Sequence, residues 1–511
     1  MQRKGAVMDN KKGINRRTVL KGLGAGAGLA LTGGLSSAAY AAYVPAVPAK
    51  WDRAFDVIVI GTGYAGLSAA IEAHDAGAKV VVIEKAKVYG GNSLISTGAY
   101  NCVDPERQKK AGVEDSTDLH FRQTMAGGDH RNDPVKVRYF VENALDGLKW
   151  LESLGIAFED YVYTIVGALW PRTHDPVKKG RGAAIAQGLK RNTDDRKIPI
   201  LMDTKLVGIV REKPLQGDVL GVEVESGNKR QFIKANKAVV MATGGFGADV
   251  PFRVKYDSRL DEQIPTTNVP WATGEALVQA QNIGADVIGM DYIQLLVSCN
   301  YLTKKFGDMP NNGIDHAVFL NFKGERFIAE DARRDILSDA SLAQPEKAFI
   351  WLCDDQAQKR YAPDITEKLF ERELSFRTNT LEEMAKIFEK RFNTPVDKFL
   401  ASVARYNALA KAGEDTDFGK NPVNLKPVEK GPFFVGIAMA GTHHTMGGLR
   451  TKGVTGQVID RENKIIPRLY AAGECTGGVH GTNRIGGNAI PDCIVFGRLT
   501  GKNAAKETSK S

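Results

Sequence analysis

A strand-like apolar run, Phe55 to Ile60, feeds Gly61-x-Gly63-x-x-Gly66, and an acid, Glu84, follows 23 residues after the first glycine. Glycines at this spacing permit a tight turn and close backbone approach to a pyrophosphate at a helix N-terminus. An acid at that remove accepts hydrogen bonds from a ribose hydroxyl. The implied chemistry is dinucleotide binding. Further along, "AEDARRDIL" (329–337) sets Arg333 and Arg334 among Glu330, Asp331 and Asp335. By residue type alone this run is either a solvated, ion-paired face or a cation aimed at a reaction. "THHTMGG" places His443 beside His444, and "GTNR" ends in Arg484. A lone histidine pair is more often a satisfied loop than a site.

The elements that must position these residues are legible around them. After the glycines comes a helical pattern, then a second apolar run that ends in Glu84. "KAVVMATGGFGAD" (Lys237 to Asp249) reads as a buried strand closing in a glycine turn with Thr243 and Gly244, as expected where a later strand returns to the same sheet. "RLYAAGECTGGVHGTNRIGGNAIPDCIVFGRLTG" (Arg468 to Gly501) reads as strand, glycine-rich turn and a helix beginning near Asn488. An α/β fold follows, with sequence-distant parts closing over one flat ligand. The 511 residues allow two or three domains, and 43% hydrophobic with 25% charged residues describes a soluble globular chain.

The net charge of +9 raises nucleic acid or an acidic surface as partners. Up to Ala41, however, seven basic residues stand against one acid, so this leader carries +6 and leaves +3 for the remainder. No basic patch for nucleic acid survives. "NRRTVLK", a weakly apolar Gly/Ala-rich core and Ala39-Tyr40-Ala41 describe an export signal rather than a spanning helix. The twin arginines point to export of the folded protein to the periplasm. Residues 1–41 are therefore set apart from the fold, with 42–50 as a linker. The five cysteines form no CxxC or CxxCH, and the eight histidines show no metal-ligand spacing, so no metal or attached haem is encoded.

With these residues in view, the chain from about residue 51 onward resembles the flavin subunit of the soluble fumarate reductase and flavocytochrome c family, akin to succinate dehydrogenase. The motifs that carry the resemblance are the glycine fingerprint, "EKAKVYGGNSLISTGAYN", "KAVVMATGGFG", "GERFIAEDARRD", "THHTMGGL" and "GECTGGVHGTNRIGGNAI". It implies a Rossmann-like α/β FAD domain, 51–290 with 443–507, and an inserted α+β capping domain, 291–442. FAD would meet Gly61, Gly63, Ala65, Gly66, Glu84, Asn92, Ser93, Thr97, Gly98, Thr243 and Gly244. His444, Glu474, Ala489 and Ile490 would follow along the ribityl chain and flavin. Membrane-bound relatives attach FAD to a histidine in the segment matching "GGNSLISTGAYN"; none occurs there, which implies non-covalent FAD.

The resemblance also assigns the chemistry. Arg334 would be the acid that protonates the α-carbon of an alkene conjugated to a carboxylate, while flavin N5 delivers hydride to the β-carbon. His443 and Arg484 would grip the carboxylate, and Arg333 would be a surface or ion-pairing neighbour. Glu330 is either a partner orienting Arg334 or a solvated acid. Fumarate reductases hold a second carboxylate through a histidine and a Thr-Glu pair, with an arginine relaying protons. Counted without gaps from Arg334, those positions are Leu296, Met309, Pro310 and Gly313, so Leu295, Leu296 and Met309 are expected to make an apolar distal wall. A second carboxylate buried there would be penalised. The expected substrate is an alkenoic monocarboxylate such as acrylate, methacrylate or an arylacrylate, reduced as an anaerobic respiratory acceptor. Urocanate would need a polar partner such as Asp308 or Asn311. Electrons are expected from a small periplasmic cytochrome c. Alternatives stay open: a urocanate or fumarate reductase, a dehydrogenase running the reaction in reverse, and a non-catalytic flavin-binding electron-transfer module.

Overall fold

The computed structural model describes residues 43–510 apart from 166, 178–179, 311–312 and 359–362. The export-signal reading, and Asn311, fall outside the described residues.

The first sheet is built on five parallel strands in the order β10 (Ile465–Ala471), β4 (Lys229–Met241), β1 (Arg53–Ile60), β2 (Val80–Ile83) and β3 (Ile200–Leu201). The last four residues of β1, Val57–Ile60, are all buried, as a central parallel strand covered on both faces requires. β4 returns beside β1 with Met241 opposite Ile60, so the glycine turn after β4 lands against the glycine turn after β1. Helix α1 (Tyr64–Asp75) starts directly after Gly63, and the C-terminal helix α3 (Ala489–Lys506), with Asn488 as its N-cap, lies against it. Gly497 and Gly501 set the spacing: a Cβ on either would fall within 2.5 Å of the Ala65 or Ala69 carbonyl oxygen. That close packing ties the loop holding Arg484 to the helix that opens the glycine fingerprint.

The second sheet is antiparallel, in the order β5 (Ile293–Asn300), β9 (Phe433–Thr445), β7 (Ala348–Asp354) and β6 (Ala317–Leu320), with β8 (Ser375–Thr378) also on β9. Phe319, Phe349 and Trp351 pack ring to ring over it, Phe319 lying 4.7 Å from each of the other two. Helices Leu381–Phe392 and Val396–Ala412 bury Phe388 and Phe399 against the same core. β9 runs unbroken through the boundary at 442/443. One end pairs Phe433 with Asp354, and the other pairs His444 with Gln294.

Glu330 is not the solvated acid that was one of its two expected roles. It is fully buried and takes Arg326 through Nε at 2.9 Å and Nη2 at 2.9 Å, Lys420 at 3.2 Å and the Phe319 amide at 3.1 Å. Arg326 also forks onto Asp415 at 2.7 and 2.9 Å. The acid therefore braces the turn that precedes Arg334. Removing one member of a buried charge network leaves the others uncompensated, at about 3–5 kcal/mol. Glu330→Ala is expected to lower Tm by several degrees in a thermal melt; an unchanged melt would contradict the network.

Candidate active site

Between the two glycine turns lies a cleft whose wall includes Gly61, Gly63, Ala65, Glu84, Asn92, Ser93, Thr243, Gly244 and Glu474. Gly61 has φ +107, and a Cβ there would sit 2.3 Å from the Ala242 carbonyl oxygen, so only glycine fits. Gly66 lies behind the wall, pressed against the Gly61 carbonyl. Gly244, at φ +71, has open space on its Cβ side, where a flat ligand can lie against bare backbone. Glu84 is buried at the end of β2 and accepts from the Thr62 amide at 3.2 Å and the Ala86 amide at 2.9 Å. Thr62 Oγ1 in turn accepts from the Gly90 amide at 2.8 Å, which joins the fingerprint to the "GGNS" turn.

Two buried polar atoms on this wall, Thr243 Oγ1 and Trp271 Nε1, have no hydrogen-bond partner among the described residues. Such atoms are costly unless a ligand meets them, and their place in a glycine-lined cleft fits a dinucleotide. Trp271 had no sequence signal, because it lies on an irregular segment. Asn92 anchors that segment, accepting from the Val269 amide at 2.9 Å and donating to Asn268 at 2.6 Å. The remaining expected contacts stand off the cleft wall. Thr97 is exposed, Gly98 packs on the Arg181–Gly182 backbone, Ala489 opens α3, and Ile490 belongs to the apolar core beneath it.

At the other end of the site β9 delivers the histidines. Its Thr442 amide donates to the Pro265 carbonyl at 2.9 Å, and its carbonyl accepts from the Thr267 amide at 2.9 Å. His443 Nδ1 lies 2.8 Å from Thr267 Oγ1. Burial, with the charges of Arg484 and Arg334, holds the His443 imidazole well below its ordinary pKa. The ring is therefore neutral at physiological pH, and a Thr267 hydroxyl donating to Nδ1 leaves Nε2–H as the donor. His444 is buried, 3.6 Å from Glu474 and 5.4 Å between ring centres from His480. Burial and Arg484 depress His444, and burial raises Glu474.

Arg334 opens helix α2 (Arg334–Leu342), with Arg333 as its N-cap residue. The Arg334 Nε and Nη1 are sealed from solvent, and its guanidinium lies hard against Gly167, where a Cβ would come within 2.3 Å of Nε. Gly167 in turn accepts from the Gly486 amide at 2.8 Å, two residues beyond Arg484. Burial, then the nearby Arg484 charge, pull Arg334 down to about 9. Burial likewise lowers Arg484 to about 10. Gln294 fastens the Arg484 loop to β5, donating to Asn483 Oδ1 at 3.0 Å and the Arg484 carbonyl at 2.9 Å. The structure thus gathers Arg334, His443 and Arg484 within electrostatic reach of one another.

The comparisons with known proteins can be set beside this geometry. The family model for the FAD binding domain matches residues 56–490. The cytochrome-type fumarate reductase of Shewanella frigidimarina is 36% identical over 461 residues, covering 89% of this chain and 78% of that protein. The chain belongs to the fumarate reductase family of FAD-binding flavoproteins. It is an FAD-dependent oxidoreductase of the class acting on CH–CH bonds. The acrylate reductase flavoprotein subunit of Shewanella woodyi is 31% identical over 509 residues, 96% of this chain and 98% of that one. NADH:fumarate oxidoreductase of Klebsiella pneumoniae is 36% identical over 458 residues, and this chain spans 48% of its length. Among solved structures, the open conformation of a flavocytochrome c3 fumarate reductase matches with TM-score 0.76 and 34% identity, over 90% of this chain and 79% of that one.

The distal wall differs from expectation. Met309 lies in the core of the second sheet, its methyl 2.4 Å from where a Cβ on Gly436 would be. Gly436 is seven residues along β9 from His443, on the order of 20 Å at strand spacing. Pro310 packs on the same glycine, the Gly313 carbonyl accepts from Trp351, and Leu295 is buried in that core. The gapless count missed a fold-back: Phe306 bridges antiparallel to Cys299, which returns the chain toward β9. Phe306 then places its ring 6.2 Å from that of His443 while remaining 42% exposed. Leu296 stays close by, half-buried on β5 opposite Gly441.

A Cβ at residue 61 would meet backbone, which cannot step aside. Gly61→Ala should therefore yield folded protein without the flavin absorbance band; a variant with full flavin content would contradict this fit of the cleft.

Proposed function

We propose that this protein reduces the C=C bond of an α,β-unsaturated monocarboxylate, with FAD held non-covalently. The observation that carries the reading is the convergence of Arg334, His443 and Arg484 at one end of the FAD cleft, with an aromatic ring beside the histidine. Reduced FAD supplies a hydride for the β-carbon. Arg484 and the Nε2–H of His443 hold the carboxylate, the arginine through its planar fork. Arg334 gives a proton to the α-carbon and is recharged from solvent. Its own positive charge stabilises the enolate that develops before protonation, which is often the largest catalytic contribution.

Phe306 and Leu296 supply the apolar far wall. A second carboxylate against them would lose water without gaining a partner, whereas an alkyl or aryl group gains contact area. Phe306 favours the arylacrylates within the monocarboxylate class, since offset ring pairs add to burial by about 0.5–1.5 kcal/mol. The twin-arginine leader supports a periplasmic enzyme, which would draw electrons from a small cytochrome c as a respiratory terminal reductase.

Anaerobic oxidation of reduced methyl viologen with fumarate, acrylate, methacrylate, cinnamate and urocanate tests the substrate class. Turnover is expected with monocarboxylates and not with fumarate, and Phe306→Ala should cost cinnamate about tenfold in kcat/KM while sparing acrylate, the loss of one ring pair with its burial. Preference for fumarate would overturn the apolar wall. Acid precipitation should release the yellow chromophore into the supernatant; colour that stays with the protein would mean covalent FAD.

The pH profile follows from the shifted groups. An acid works only while it holds its proton, so activity is present below the Arg334 pKa and is lost above it. His443 is already neutral well below its ordinary pKa of 6.5 and contributes no limb near neutrality. Thus kcat/KM should stay level between about pH 6 and 8 and fall as pH rises past about 9. A rise or fall centred near 6.5 would assign the acid to a histidine instead.

A further inference from the structure

Arg333, the neighbour of the catalytic arginine, makes contacts that the reaction itself does not use. Its Nη1 and Nη2 fork onto Asp129 at 2.7 and 3.0 Å, and its Nε and Nη2 meet Asp335 at 2.8 and 2.5 Å. Asp335 is local, in the first turn of α2. Asp129 is 204 residues away in sequence. It also accepts a hydrogen bond from the hydroxyl of Thr482, two residues before Arg484.

Asp129 is mechanically part of the Arg484 loop. The Thr482 amide donates to the Gly128 carbonyl at 3.2 Å, Asn483 Nδ2 to the Gly127 carbonyl at 3.3 Å, and Asn132 Nδ2 to the Val479 carbonyl at 2.8 Å. Glycines at 128 and 481 bring the two backbones together. A Cβ on Gly128 would lie 2.5 Å from the His480 carbonyl oxygen, and one on Gly481 would lie 2.2 Å from that of Gly128. Asp129 itself sits at φ +53, at the tip of that clamped turn. The carboxylate is presented from a rigid mount.

We propose that Arg333 is a positioning residue which, through Asp129 and Thr482, latches the segment carrying Arg334 to the loop carrying Arg484. The role rests on the alkenoate-reductase reading, in which those two arginines must face one carboxylate-bearing substrate. Arg334 and Arg484 carry like charge and lie within electrostatic reach of each other. Arg333 and Arg334 are consecutive, so a grip on Asp129 limits how far Arg334 can withdraw. The grip is a charge-assisted fork, directional in a way a single point charge is not. It is also partly exposed, so salt weakens it.

The test uses FAD-loaded full-length protein with Asp129→Ala, Arg333→Ala and the double variant. Two readouts are taken: reoxidation of the reduced flavin by the substrate in a single turnover, and hydrogen exchange at amides 128–131 and 333–337. Each single variant should slow reoxidation about three- to tenfold, as expected for one forked pair at the surface. The double variant should be no slower than the singles. Each single should also speed exchange in both segments, with FAD content and melting temperature unchanged, and high salt should move the wild type toward the variants. Wild-type rates in the singles, additive losses, or faster exchange only in the mutated segment would overturn the latch. A wild type that reduces no alkenoate overturns the reductase reading instead, and the exchange coupling then decides the latch alone.

Discussion

Burying positive charge is expensive, and this site buries it repeatedly. Arg484 is only 6% exposed, and the guanidinium of Arg334 has two of its nitrogens sealed from solvent beside it. Their electrostatic proximity lowers Arg334 and helps keep His443 neutral. A buried cluster of like charges is tolerated when the surrounding structure over-determines it, and it is suited to a ligand that is an anion. In the proposed reaction the cluster receives the substrate carboxylate, hydride addition at the β-carbon leaves negative charge at the α-carbon, and Arg334 is the proposed proton donor to it. The same cluster explains why FAD binding alone would not need these residues, since the FAD cleft has its own wall of glycines and Glu84.

The rest of the fold can be read as holding that charge in place. β9 is a single beam, rooted among the aromatic rings of the second sheet and ending in His443 and His444 beside the FAD cleft. α3 is pressed onto α1 by Gly497 and Gly501, so the loop before it, with Arg484, moves with the glycine fingerprint. Glu330 braces Arg326 and Lys420 one turn ahead of Arg334. Burial inside the second sheet therefore sets how firmly the turn before Arg334 is held.

What was legible in the sequence was what local patterning encodes. The glycine fingerprint, the returning strand at Lys237–Met241 and the helix start at Asn488 all announce themselves through turn glycines and apolar runs, and the parallel register confirms them. Side chains brought in by tertiary structure were not legible. Trp271 sits in an irregular segment, and Phe306 reaches His443 only because the chain folds back on Cys299. Met309 was misassigned because a gapless count cannot see that turn. Glu330 looked like a neighbour of Arg334 along the chain, yet one of its partners, Lys420, lies far away in sequence. Resemblance singled out Arg334, His443 and Arg484; the fold brings them together and decides what surrounds them.

The most direct measurement is stopped-flow reoxidation of dithionite-reduced Arg334→Ala protein by the best alkenoate from the substrate panel. Full flavin content is expected, with reoxidation slowed by at least about a hundredfold, the lower range for losing a positioned acid. A variant that reoxidises at the wild-type rate with its flavin intact would mean that the proton comes from another group, and that Arg334 is not the acid.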